Sequence, residues 1–389
     1  MYRPTYIEVD GNILENNVKN IISNYDKYKY YFGVVKNNAY HHGIYAIKYL
    51  IEGGVNYLAV SSLEEAISIR KYNTTIPILC LEPIISDYVY DAINNNVSIT
   101  IGSLHEAEEL SKLKISDELK VHLKIDSGMN RLGFKSKQEL DKAYKILTSI
   151  KKVLIEGVYT HLATSGITDP YYNTQVENFL SITKGIDLNE IPIVHVDRSF
   201  TLVTHDKLDF VNGVRLGICM YGYKQNIPEG NFLNKFRRKQ LQNKYGIENV
   251  HLTNNLDIKY AFNMYSSVME LRKVKAGEFA GYGALYKFKE DSIVATIPAG
   301  YADGVIKDFK YVYINNKPYE IIAECMDMIM VLVDSKVKIG DKVEIVGKNQ
   351  SIKELGSRIN VSGHKFLTMF SNRVPVVYKY NKDKVEIKY

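Results

Sequence analysis

Short apolar runs and helical patterns alternate along the first half of the chain. Runs rich in β-branched and aromatic residues read as buried strands at 30–36, 57–62, 77–82, 97–103, 120–126, 155–163, 192–197 and 210–217. Between most of them, apolar residues recur three and four apart, at 44–52, 63–72, 104–113, 137–149 and 175–185. That spacing lays them along one face of a helix. Strand candidates alternating with helices over roughly 200 residues predict a (β/α)8 barrel rather than an open doubly wound sheet.

Past about residue 260 the texture changes: helical periodicity gives way to strand runs broken by turn signals, as in "SIVATIP" then "AGYADG" and in "KVKIGDKVEIVGKNQ". This predicts a second, mainly β domain. The expected fold class is α/β, an N-terminal TIM barrel followed by a C-terminal mainly-β domain. The expected boundaries are 1–225 for the barrel, 226–260 for an insertion or linker, and 261–389 for the β domain. The insertion is polar, and its basic run "KFRRKQLQNK" at 235–244 reads as a solvated surface helix rather than a nucleic-acid contact.

Composition narrows the class. Hydrophobic residues make up 46% and charged residues 24% of 389, which fits a globular protein and excludes disorder or a coiled coil. A net charge of +6 over that length is too mild for a nucleic-acid footprint. Cys80, Cys219 and Cys325 lie far apart without a C-x-x-C, so neither a zinc site nor a disulfide framework is expected. The N-terminal "MYRPTYIEVDGN" has no apolar signal core, and no 18-residue apolar run occurs. A cytoplasmic protein with no membrane partner is expected.

Common enzyme signatures are missing. No G-x-G-x-x-G follows a strand, and no Walker A segment or G-x-S-x-G elbow exists. "LHEAEEL" at 104–110 starts like a zinc-protease helix but lacks the second histidine, and reads as an ordinary helix start. In a barrel, reactive groups sit at the C-terminal ends of strands. The first strand candidate ends in Lys36. A lysine there either snorkels at the barrel mouth or, partly desolvated, serves as an amine nucleophile.

Lys36 lies in "VVKNNAYHHG", which resembles the pyridoxal-phosphate lysine segment of alanine racemases, usually close to "VVKANAYGHG". Further segments resemble that family in order: "LKIDSGMNRLGF" at 123–134, "GVYTHLATSG" at 157–166, "VRLGICMYG" at 214–222 and "GYGALY" at 281–286. "IPAGYADG" at 297–304, "ECMDMIM" at 324–330 and "NRVPVVY" at 372–378 complete the series. The matches span nearly the whole chain and both expected domains.

The resemblance implies a pyridoxal 5′-phosphate enzyme that interconverts L- and D-alanine, supplying D-alanine for peptidoglycan. It implies a head-to-tail homodimer whose active site joins one subunit's barrel to the other's β domain. Racemisation needs a proton removed from one face of Cα and another delivered to the opposite face. By resemblance, those groups are Lys36, which also holds the cofactor covalently, and Tyr282 of the partner subunit. A phenol with an ordinary pKa near ~10 needs cationic neighbours to work near neutral pH, and the family places His161 and Arg215 there. Arg215 is implied to donate to the cofactor's pyridine nitrogen, keeping it unprotonated. On its own, Tyr282 reads as a tyrosine in a turn between strands, and Arg215 reads equally as a salt-bridge residue near a strand end.

The implied phosphate contacts are Tyr40, Ser199 and the backbone of Gly217 and Ile218. Arg131 corresponds to a residue contacting the cofactor's phenolic oxygen and the substrate carboxylate. Lys124 corresponds to a lysine that is carbamylated to orient that arginine, or is a plain interior lysine. Met326 and Asp327 match a partner-subunit segment lining the substrate carboxylate, and Tyr301 an entrance-gate tyrosine. Two positions depart from the pattern. "HVDRSF" keeps His195 and Ser199 but replaces the family's asparagine with Arg198, which either adds a phosphate contact or points to solvent. Before "RVP" the family commonly has a tyrosine that touches phosphate and crowds the substrate side chain; here it is Asn372. The lost ring opens space for a hydroxymethyl side chain, so serine joins alanine as an expected substrate, either as a second one or as the preferred one. The competing classes are a basic amino-acid decarboxylase, which lacks the "GYG" and "CMD" segments, and a non-catalytic pyridoxal-phosphate-binding protein, which ends near the barrel.

Overall fold

Eight parallel strands close into a barrel in the computed structural model, which describes residues 2–164, 167, 169–224, 232–245, 256–381 and 384–388. The first strand of the chain, β1 (Tyr6–Asp10), stands outside that barrel. The barrel runs β2 (Tyr30–Val34), β3 (Tyr57–Val60), β4 (Ile78–Cys80), β5 (Val97–Ile101), β6 (Leu119–Ile125), β7 (Val153–Thr160), β8 (Ile193–Arg198) and β9 (Gly213–Leu216). It closes where β9 pairs with β2, with Arg215 opposite Phe32.

Each strand carries side chains into both the barrel interior and the helix layer, so both faces are covered. β3 "YLAV" and β5 "VSITI" are buried at every position. Three of the helices outside start on Ser-x-x-Glu caps: Ser62, Ser103 and Ser136 accept from the backbone N–H of Glu65, Glu106 and Glu139. "LHEAEEL" is one of these, in the helix Leu104–Ser111.

Among the described residues, ten of the remaining strands form one sheet, and Phe279–Ala280 pairs with Tyr286–Lys287 in a separate two-stranded one. β1 belongs to the ten-stranded sheet, antiparallel to Phe262–Ser267 and parallel to Val376–Tyr380. Residues 6–10 are therefore corrected out of the barrel region that the sequence suggests for 1–225. Their pairing partner lies at the far end of the chain, beyond the reach of any local pattern. Arg3 reinforces the join, donating to both carboxylate oxygens of buried Asp303 at 2.6 and 2.5 Å.

Of the expected 226–260 insertion, 226–231 and 246–255 lie outside the described residues, as do residue 225 and the 165–166 end of the "GVYTHLATSG" segment. The basic run sits in the helix Phe232–Tyr245. Most of that run is exposed, but Arg238 is buried and Gln242 donates to the Ile167 carbonyl at 3.1 Å. This helix is docked on the barrel as well as solvated.

Candidate active site

At the C-terminal ends of the barrel strands, side chains surround a cavity of about 520 Å³. The chain enters it through an unusual turn. After β2, Asn37, Asn38, Ala39, Tyr40 and His41 all hold φ between 51 and 64°. Asparagine tolerates this left-handed region, but alanine, tyrosine and histidine pay strain there of roughly 1 kcal/mol or more each. Glu65 pins the turn, its two carboxylate oxygens accepting from Asn37 N at 2.6 Å and Ser61 N at 2.8 Å. The outcome is that Lys36 and Tyr40 both face the cavity.

Tyr40 is buried, which holds its phenol protonated and therefore a donor. Beside it, Gly217 N donates to Ser199 Oγ at 2.8 Å. A Cβ at Gly217 would lie 3.5 Å from Tyr40 Oη and 3.6 Å from Ser199 Oγ. Tyr40, Ser199, Gly217 and Ile218 thus shape a small polar cradle on the cavity wall.

The cavity is strongly cationic. Lys36, Lys124, Arg131, Arg198, Arg215 and Lys365 line it, and Glu82 is the one carboxylate among its described lining residues. Arg215 is buried, and burial pushes its guanidinium down to about 10, still charged at neutral pH. Its terminal nitrogens donate to His195 Nδ1 and to the carbonyls of His195, Thr160 and Val196. Those four bonds leave one donor, the Nε–H, for a ligand. Lys124 is buried over the Tyr159 ring, 5.3 Å from its centroid. Burial first, then Arg131 and Arg215, bring its amine down to about 8.

His161 lines the same cavity. Burial and then Arg215 drive its pKa to about 2, so it is neutral. Both residues expected beside a phenol line this cavity: Arg215 carries a charge, and His161 presents a neutral ring.

A buried relay runs down from Arg215. His195 Nε2 is 3.0 Å from His122 Nδ1, and His122 Nε2 is 3.0 Å from Glu156 Oε2. Glu156 Oε2 also accepts from Tyr57 Oη at 2.7 Å and Ser98 Oγ at 2.9 Å. Although burial opposes it, these donors bring Glu156 down to about 2. Since Arg215 has no acceptor, its bond requires His195 Nδ1 to be a bare acceptor. The two histidines then both carry hydrogen on Nε2, and each donates toward Glu156. His122 and Glu156 carry no signal in the sequence beyond ordinary strand positions.

The remaining predicted residues lie apart from this cavity within the chain. Tyr282 is 80% exposed, Met326 53% and Tyr301 48%. They share one region: Tyr301 N donates to the Cys325 carbonyl at 3.1 Å, and Gly281 packs on Ala323. Asp327 is exposed and pairs with Arg373 at 2.7 Å. Asn372 lines a second cleft of about 370 Å³ with Asn38, His41 and Arg373. The wall that the C-terminal part of this chain adds to the main cavity is instead Ser362, His364, Lys365 and Thr368, around the short helix Gly363–Leu367. In the sequence that stretch looks like any capped surface helix.

The alanine racemase N-terminal domain model matches residues 9–225, and the alanine racemase C-terminal domain model matches 261–378. The chain is 30% identical over 396 residues to alanine racemase 1 of Bacillus subtilis, covering 100% of this chain and 96% of the relative. It is 32% identical over 403 residues to the alanine racemase of Clostridium perfringens, covering 99% and 98%. The solved alanine racemase of Bacillus anthracis, with bound L-Ala-P, superposes with a TM-score of 0.86 at 30% identity, covering 100% and 98%. A histidine racemase from Leuconostoc mesenteroides superposes at 0.83 with 22% identity, which shows a shared fold.

Proposed function

This chain belongs to the alanine racemase family, and on that premise we propose that it interconverts L- and D-alanine with pyridoxal 5′-phosphate as cofactor. One observation carries the reading: a nearly carboxylate-free cationic cavity surrounds Lys36, with the Tyr40–Ser199–Gly217–Ile218 cradle on its wall. A phosphate monoester fits that cradle, and an aldehyde fits the amine. Bound there, the cofactor supplies an electron sink for the charge left when the α-proton departs.

The chain's own residues divide the remaining work. Lys36 holds the cofactor, and its Nζ takes or returns the α-proton on one face. Tyr282 of the partner subunit does so with its Oη on the other, which supports a head-to-tail homodimer, since Tyr282 stands exposed within its own chain. Arg215, fixed by the barrel carbonyls and His195, donates to the pyridine nitrogen, with His161 beside it. Arg131 holds the substrate carboxylate, oriented by a carbamylated Lys124. Met326 and Asp327 of the partner subunit line that end, and Tyr301 of the partner subunit gates it. No described helix is long and apolar enough to cross a membrane. We place the enzyme in the cytoplasm, making D-alanine for peptidoglycan, with small amino acids and its own second copy as partners. We keep the division into barrel, 226–260 insertion and β domain, with residues 6–10 counted in the β domain. A second reading, serine as an additional or preferred substrate, rests on Asn372.

Incubation of the loaded dimer with L-alanine in heavy water tests the reading. The expected result is decay of optical rotation to zero with deuterium entering at Cα. Carbon dioxide release, or no exchange at all, overturns it.

A further inference from the structure

Arg198 is a cation without a counter-charge. Its guanidinium lines the cavity, and its Nε is buried with no hydrogen-bond partner among the described residues. No carboxylate pairs with it among those residues, and burial disfavours its charge. An arginine in that state is destabilising unless an anion joins it, and its planar fork matches phosphate oxygens two at a time. It adjoins Ser199, whose Oγ already borders the cradle at Gly217.

The opposite rim comes from the other end of the chain. The His364 ring stands 5.9 Å from the Tyr40 ring, centroid to centroid. Burial first, then Arg198 and Lys36, disfavour protonation of His364. Cations from the barrel and a histidine from the C-terminal rim thus converge on one edge of the cradle.

We propose that Arg198 and His364 form a second clamp on the cofactor's phosphate, so that the C-terminal part of the same chain closes over a group seated on the barrel. The proposal rests on the pyridoxal-phosphate reading above. Arg198 makes the charged contact from within, and His364 closes the rim, where Asn372 does not reach the cavity.

Binding of pyridoxal phosphate and of pyridoxal, which lacks the phosphate, to the full-length apoprotein separates the possibilities. Kd is read by absorbance, and the ³¹P resonance of the bound phosphate is followed in parallel. Arg198→Gln is expected to raise Kd for pyridoxal phosphate at least tenfold and His364→Ala about threefold, with pyridoxal affinity changed less than twofold and the ³¹P shift moved. Arg198→Lys, which keeps charge but not the fork, should recover part of the loss. Equal weakening of both ligands, or no weakening of either, overturns the clamp while leaving the cofactor reading intact. A wild-type protein that does not prefer pyridoxal phosphate over pyridoxal overturns both. Circular dichroism of each variant confirms folding, and the conservative Arg198→Lys keeps the test decisive if Arg198→Gln does not fold.

Discussion

Arg215 Nη1 lies 2.8 Å from Nδ1 of His195, the first bond of a chain that ends 3.0 Å from His122 at the carboxylate of Glu156. The guanidinium is thereby held, directly or through this chain of bonds, by groups on five other strands: β3, β5, β6, β7 and β8. The polarity of the chain depends on the carboxylate: it accepts, so every histidine above it donates downward.

Glu156→Gln keeps the shape and removes the charge. Hydrogen bonds to charged groups contribute about 1.5–3 kcal/mol, so a stability loss of about 2 kcal/mol is expected. If the relay positions Arg215, kcat falls about tenfold with KM nearly unchanged. Denaturant unfolding and steady-state kinetics check both. A stability loss with unaltered kcat would reduce Glu156 to a structural role.

Tyr282→Phe removes one proposed proton carrier and leaves the other. The two enantiomers are equal in energy, so racemisation must slow equally in both directions and cannot discriminate. Exchange can: removal of the α-proton from the L-isomer should slow by roughly 10²–10³-fold, far more than from the D-isomer. Equal slowing of α-proton exchange for both isomers in heavy water would argue against two bases.

Lys124, brought down to about 8, is partly neutral near physiological pH. A neutral amine adds to carbon dioxide and releases a proton, giving a carbamate anion in the field of Arg131 and Arg215. Protein equilibrated with ¹³C-bicarbonate is expected to show a carbamate ¹³C resonance that Lys124→Ala abolishes. The same variant should raise KM about tenfold through a misplaced Arg131. An unchanged spectrum sinks the modification.

The barrel strands are legible because burial on both faces makes them short runs rich in apolar and β-branched residues, such as Tyr57–Val60. Lys36, Lys124, His161 and Arg215 are legible because motif and strand end coincide. β1 is not, because "YIEVD" finds its partners at Phe262–Ser267 and Val376–Tyr380. The rim residue His364 is not, because tertiary docking rather than local spacing brings a short capped helix onto the cavity. Asn372 is legible only by motif position, and within this chain it lines the neighbouring cleft.

That displacement makes the serine reading testable at one residue. If Asn372 sets specificity, Asn372→Tyr should lower kcat/KM for L-serine at least tenfold while changing L-alanine less than threefold. Unaltered selectivity would show that Asn372, seated beside Arg373 in the second cleft, does not contact the substrate side chain.

Acid should destabilise the enzyme through its buried histidines. His42 is fully buried, packed 4.5 Å from the Tyr221 ring, and burial lowers its pKa from 6.5 to about 3. His161 falls to about 2 for the same reason, reinforced by Arg215. In each case the folded state excludes a proton that the unfolded state binds. Stability therefore rises with pH across this window and is lost as pH falls below about 6.5 toward the folded value. At pH 5 a histidine with an unfolded pKa near ~6.5 contributes about 2 kcal/mol of that loss. His42→Phe keeps the ring stack and removes the titration. Its Tm should be lower at pH 7, because the ring nitrogen facing the Ala39 and Tyr40 carbonyls is gone. Between pH 7 and pH 5, however, its Tm should fall less steeply than that of wild type. Parallel curves over that range would mean that His42 binds as many protons folded as unfolded, and that the acid sensitivity lies elsewhere.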